Sequence, residues 1–196
     1  MVYCEYNKIR EEDMIRTVVF AGVLLGFTPI AAAQVTVIGG GLAKDCYQAA
    51  KYGLLSSTSA EDTCSRALEH EALNLSNRAA TYTNRGVLRM RQGKLDAALA
   101  DYAASKRISP ESGPTWLNEG AAYILQQDYA AAIVSLDRAI ELNSSDLYAA
   151  YYNRALARER TGDVQGAYYD LVKSKELNPD SPQTDIQLER FTVTTN

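Results

Sequence analysis

From residue 43 onward, small and apolar residues recur at spacings of three and four, the signature of helices with one buried face. Residues 43–55 carry Cys46, Ala49, Ala50 and Gly53 on such a stripe. Residues 60–74 carry Cys64, Ala67 and Leu68, with Leu75 next in phase. The polar run 56–59 separates the two, so a helix pair is predicted. Three more pairs follow: 79–92 with 95–108, 114–127 with 129–142, and 147–161 with 164–177. Gly93 and Gly162 suit the left-handed residue that ends a helix, and Pro110 and Pro179 stop the second helices of the first and last of these pairs. Ser181-Pro182 then opens a short helix to about residue 190, with serine as cap and proline in the first turn. Its polar positions, Gln183, Asp185, Gln187 and Glu189, suit a solvent-facing lid, and 191–196 is a tail. Ahead of the helices, 34–42 is a short apolar piece followed by three glycines. GxGxxG spacing is absent and no strand–helix alternation follows, so this stretch reads as a flexible lead-in, not a phosphate loop.

The last three pairs repeat one another. Asn84-Arg85-Gly86, Asn118-Glu119-Gly120 and Asn153-Arg154-Ala155 lie 34 and then 35 residues apart. A turn residue (Gly93, Gln127, Gly162) and an alanine (Ala98, Ala132, Ala167) follow in each. A fixed period of this length means helix pairs stacked as a solenoid, each burying its neighbour's open face. The expected fold is therefore all-α, a right-handed solenoid of antiparallel helix pairs with a short C-terminal capping helix. Residues 43–78 are a divergent terminal pair, 79–180 the three repeats, and 181–196 the cap and tail.

These residues resemble the tetratricopeptide repeat family. Trp116, Gly120 and Tyr123 match the family's first helix, and Tyr82 with Gly86 and Tyr151 with Ala155 match it in part. Ala98, Tyr102 and Ser105, then Ala132, Leu136 and Ala139, then Ala167, Leu171 and Ser174 match its second helix. One column departs: Arg85, Glu119 and Arg154 stand where leucine is usual. Their alternating sign suggests a ladder of ion pairs between repeats.

The resemblance implies a concave groove, lined by the first helices, that takes an extended peptide or a helix. The matching positions are Thr83, Asn84, Val87, Met90 and Arg91; then Leu117, Asn118, Ala121, Ile124 and Leu125; then Tyr152, Asn153, Leu156, Glu159 and Arg160. The stacked asparagines could bond a peptide backbone. Some family members grip a C-terminal carboxylate with lysines and asparagines, but Thr83, Ala149 and Val87 occupy those positions here. A partly hydrophobic, mildly acidic segment fits better. The alternative is that the protein's own ends, either 34–38 or the Phe191 tail, fill the groove, since exposed apolar surface usually finds cover.

Arg16, the apolar run 18–27, Pro29 and Ala31-Ala32-Ala33 follow the plan of an export leader with cleavage after Ala33. The acidic residues Glu5, Glu11, Glu12 and Asp13 spoil a leader that begins at Met1, whereas a start at Met14 restores it. Residues 1–33 are thus read as an N-terminal extension and signal peptide. A retained anchor is the alternative, though 17–33 is marginal for spanning and is broken by Gly22, Gly26 and Pro29. The processed chain keeps Cys46 and Cys64, and an even count in an exported protein implies a disulfide, one cysteine on each helix of the first pair. The expected location is periplasmic or secreted, without stable membrane insertion once cleaved.

A net charge of −4 leaves no basic stripe for nucleic acid. The only histidine, His70, sits between Glu69 and Glu71 at a helix end, and no cysteine, histidine or carboxylate set has metal-ligand spacing. The expectation is a non-catalytic scaffold or adaptor of the bacterial cell envelope, binding a protein or peptide, with no cofactor and no metal. The alternative is a structural subunit that packs through its convex face.

Overall fold

The computed structural model describes residues 2–6, 32–33, 35–37, 40–53 and 57–195. The apolar run 18–27 and Met14, read above as leader and start, lie outside them. Nine helices stand among the described residues: α1 (Leu42–Tyr52), α2 (Ser57–His70), α3 (Leu75–Arg91), α4 (Leu95–Ile108), α5 (Gly113–Leu125), α6 (Tyr129–Glu141), α7 (Leu147–Thr161), α8 (Val164–Leu177) and α9 (Pro182–Leu188). Each pairs with the next, and α1, α3, α5 and α7 lie side by side as the inner layer. The pairs close tightly because small residues meet large ones. A Cβ on Gly120 would come within 2.5 Å of Leu136, and one on Gly86 would strike the Tyr102 ring. Ala98, Tyr102, Ala132, Leu136 and Ala167 are wholly buried in these seams.

Three differences from expectation have local causes. First, α3 begins at Leu75, four residues early, because the Asn74 side chain accepts the Asn77 N–H at 2.8 Å and caps it there. Second, Gln127 adopts a left-handed conformation (φ 64°) at the turn where the other repeats have Gly93 and Gly162. The same closing bond forms in all three: Lys94, Asp128 and Asp163 donate their N–H to the carbonyls of Arg89, Tyr123 and Arg158, each at 2.9 Å. Third, the polar lid of α9 holds only in part: Gln183 and Glu189 are exposed and Asp185 is half-buried, but Gln187 turns inward. Ser181, Thr184 and Gln187 are buried and Ile186 is exposed, because Thr184 bonds Ser181 and Ser174 on the α8 side.

The charged column forms no ladder of its own members. Each instead ties its own pair to the preceding one. Arg85 bonds Asp101 of α4 (2.8 and 3.0 Å) and Ser65 of α2. Glu119 accepts from Ser135 of α6 (2.9 Å) and Lys106 of α4 (2.5 Å). Arg154 bonds Asp170 of α8 (2.7 and 2.8 Å) and Asp137 of α6 (2.5 Å). Aromatics share these cations: Tyr82 lies under Arg85, Trp116 under Lys106 and Tyr151 under Arg154. Where the column carries an acid, the preceding repeat supplies the cation.

The ends are held too. Cys46 and Cys64 form a fully buried disulfide that closes 18 residues of chain and staples α1 to α2. Loop closure of this size stabilises by about 3 kcal/mol in the chain-entropy view. Glu71 accepts the N–H groups of Leu42 (2.5 Å) and Ala43 (3.0 Å) at the start of α1. Two strands, β1 (Val2–Tyr6) and β2 (Phe191–Thr195), pair antiparallel, Val2 opposite Thr195 and Tyr6 opposite Phe191. The tail therefore has a partner, and it comes from the stretch expected to precede the true start.

Candidate functional site: a backbone-reading groove

The asparagine column is the site's centre, and it is engaged. Asn84, Asn118 and Asn153 are each wholly buried on α3, α5 and α7. The Asn118 amide accepts the Ala33 N–H at 2.9 Å and donates to the Ala33 carbonyl at 2.5 Å. Asn84 treats Val35 identically, accepting at 3.0 Å and donating at 2.8 Å. A side-chain amide has one acceptor and two donors, so it can satisfy both polar groups of a single extended residue. Successive asparagines take alternate residues because an extended chain points every second residue to one side.

The end of the expected leader, at Ala33, and the stretch read as a flexible lead-in, at Val35 and Val37, are thus both docked. Ala33 is wholly buried among Leu117, Ala149 and Ala150. Ala32 packs beside Met90, Ala121 and Leu125. Val37 is buried against Ala43, Ala67 and Ala80 of the first three helices. Thr36 faces outward and bonds the Tyr47 hydroxyl, which, with Lys51, holds that phenol below its usual pKa. The segment therefore runs opposite to the solenoid, from the second repeat to the first and on to the terminal pair.

The other positions expected to line the groove divide by what they touch. Thr83 points into the seam between pairs, bonding Ser105 and Thr115 at 2.9 Å each. Val87 is wholly buried. Arg91 reaches the Ala50 carbonyl at the end of α1. Leu117 is wholly buried in the same apolar cluster as Ala33, and Ile124 packs against that cluster. Over the third repeat, Tyr152 and Leu156 pack with Leu188 and Phe191. Glu159 is paired with Arg190 at 2.7 Å, and Arg160 lies over the Tyr129 ring. Arg190 was absent from the expected set; a basic residue after a capping helix carries no periodic signal. Both chain ends therefore cover the concave side. His70 is exposed beside Glu69, and no group of three metal-binding side chains occurs among the described residues.

Residues 113–146, the second repeat, match the family model described as "Tetratricopeptide repeat". That repeat is a tetratricopeptide repeat, and the stacked pairs share the solenoid fold of tetratricopeptide proteins. Hsc70-interacting protein 1 of Drosophila melanogaster is 36% identical to this chain over 101 residues, which cover 52% of this chain and 26% of the relative. The chain spans about a quarter or less of the length of the curated relatives it matches. The first tetratricopeptide domain of Spaghetti (RPAP3), solved bound to the HSP90 peptide SRMEEVD, is 25% identical with a TM-score of 0.54, covering 57% of this chain and 87% of that one. MamA of Desulfovibrio magneticus (residues 41 to the end) has a TM-score of 0.61 at 17% identity, covering 76% and 82%, a likeness of fold. No helix among the described residues is long and apolar enough to cross a membrane.

Proposed function

We propose that this repeat protein is a non-catalytic scaffold that captures an extended polypeptide segment in its concave groove, working as a periplasmic or secreted component of the bacterial cell envelope. One observation carries the binding reading: Asn118 and Asn84 each hold both polar groups of one extended residue, Ala33 and Val35. Such pairing recognises main chain whatever the side chains, which is how a groove accepts a segment and leaves selection to the pockets. A related domain solved with a bound peptide supports the same reading. The envelope setting is supported by the leader pattern and by the buried Cys46–Cys64 bond, a chemistry of oxidising compartments.

The binding test is photo-crosslinking in cells of the native host from a photoreactive residue at Ile124, which is partly buried at the groove floor. A protein crosslink that vanishes when Asn84 and Asn118 are changed to alanine is expected. One that survives both changes contradicts the groove. For the setting, protein from the native host is expected to begin at Gln34 and to carry no free thiol; two reactive thiols would contradict it.

A second reading, a structural subunit held by its convex face, is favoured by two observations. The protein's own ends already cover the groove, and the outer helices expose Val134 and Tyr169, 35 residues apart, at 67% and 49%. Val134→Asp and Tyr169→Asp would then break assembly while the asparagine changes spare it.

A further inference from the structure

The docked segment tells what the groove selects and how it is kept shut. We propose that residues 32–37 are an intramolecular occupant that holds the peptide groove closed, and that the partner is an extended segment of the same chemistry, with a small residue beside Asn118 and a β-branched residue beside Asn84. The inference rests on the groove reading above and adds the closure and the selection rule.

Selection follows from the space around each held residue. Ala33 is wholly buried, in one apolar cluster with Leu117 and with Ala149 and Ala150 of the next repeat. At 1% exposure a larger side chain in its place would have to displace its neighbours. Val35 is only partly buried, so Asn84 tolerates a branched side chain. The two asparagines take residues two apart, the spacing of alternate positions along an extended segment. The pattern small–any–branched, in the direction from the second repeat to the first, is the rule read from the occupant.

Closure follows from the four bonds. A partner reading main chain through Asn118 and Asn84 must displace Ala33 and Val35, because each amide's oxygen and nitrogen are already turned to the N–H and carbonyl of the residue it holds. The expected processing point after Ala33 falls between the two held residues. A cut there removes Ala33 and uncovers Asn118 while Val35 stays with Asn84. Export would then open the second-repeat half of the groove and leave Val35, without its neighbouring anchor, as the residue a partner still has to displace from Asn84, so that the processed chain binds more tightly than the unprocessed one.

The test uses a fluorescent synthetic peptide of residues 29–38 as probe and the full unprocessed chain as receptor. Ala33→Arg should eject the occupant, since the buried site has no room for the side chain. The probe is expected to bind this variant at least about tenfold tighter than the unaltered chain, the factor for an occupant in place about nine-tenths of the time. Adding Asn84→Ala and Asn118→Ala to it should abolish binding. Val35→Asp is the second ejecting variant should Ala33→Arg misfold, with helical circular dichroism as the check on each. Equal, asparagine-dependent binding to the unaltered and ejected chains would overturn the closure and leave the groove standing. Binding to neither, or binding indifferent to the asparagines, would overturn the groove itself.

Discussion

At the scale of single residues, the repeat is written in columns, and each column does one physical job. The Gly86, Gly120 and Ala155 column sets how close two helices of a pair may come. Gly86→Ala, which drives a methyl into the Tyr102 ring, should destabilise by about 1–3 kcal/mol; chemical denaturation measures it, and an unchanged midpoint would contradict the close seam. The turn column carries one misfit. Gln127 holds a left-handed conformation that costs a side-chain-bearing residue roughly 1–2 kcal/mol. Gln127→Gly should therefore raise stability by about 0.5–1 kcal/mol after the greater freedom of unfolded glycine is counted. The charged column is the most sensitive. Asp170 is 4% exposed and accepts from both Arg154 and Arg158. Asp170→Ala removes the buried acceptor two guanidinium groups share and should cost about 2–4 kcal/mol, less than a fully buried pair because Arg154 keeps Asp137, Arg158 keeps Asp163 and both retain some contact with water.

At the scale of elements, helix existence was legible because each helix carries its own period and its own stop, as at Gly93, Pro110, Gly162 and Pro179. What lay between elements was not. The Asn74 cap looked like the end of one helix instead of the start of the next, since a capping residue belongs to neither period. The buried side of α9, which takes in Gln187, depends on hydroxyls of Ser174 and Thr184 that meet only after folding. Packing between elements also sets the acid response. Glu61 of α2 joins the terminal pair to the first repeat by accepting from Lys94 (2.7 Å) and Arg89 (2.9 Å). Lys94 first, and then Arg89, hold its carboxyl below the ordinary value in spite of burial. A lowered folded value means the stabilisation is complete above the unfolded value and fades as pH falls through the folded one. Glu61→Gln should accordingly flatten the loss of stability over roughly pH 5 to 3. An identical acid profile in the two proteins would show that the bridge does no work.

At the scale of the whole molecule, the solenoid and its asparagine column could be read from the chain, but the occupant could be named only as one alternative. The bonds that place it join residues 49 and 85 apart, and such pairings leave no local trace. The β1–β2 ribbon was invisible for the same reason: it joins the first few residues to the last few. The apolar alternation of Ala33, Val35 and Val37 was the available clue, outweighed by the three glycines behind it. The central claim is that the groove grips extended main chain through paired asparagine amides. Hydrogen exchange of the Ala33 and Val35 amides, followed by NMR in the full unprocessed chain, tests this most directly. Both amides should be protected, with Asn118→Ala exposing Ala33 first and Asn84→Ala exposing Val35 first. Exchange of both at free-peptide rates in the unaltered protein would contradict the account.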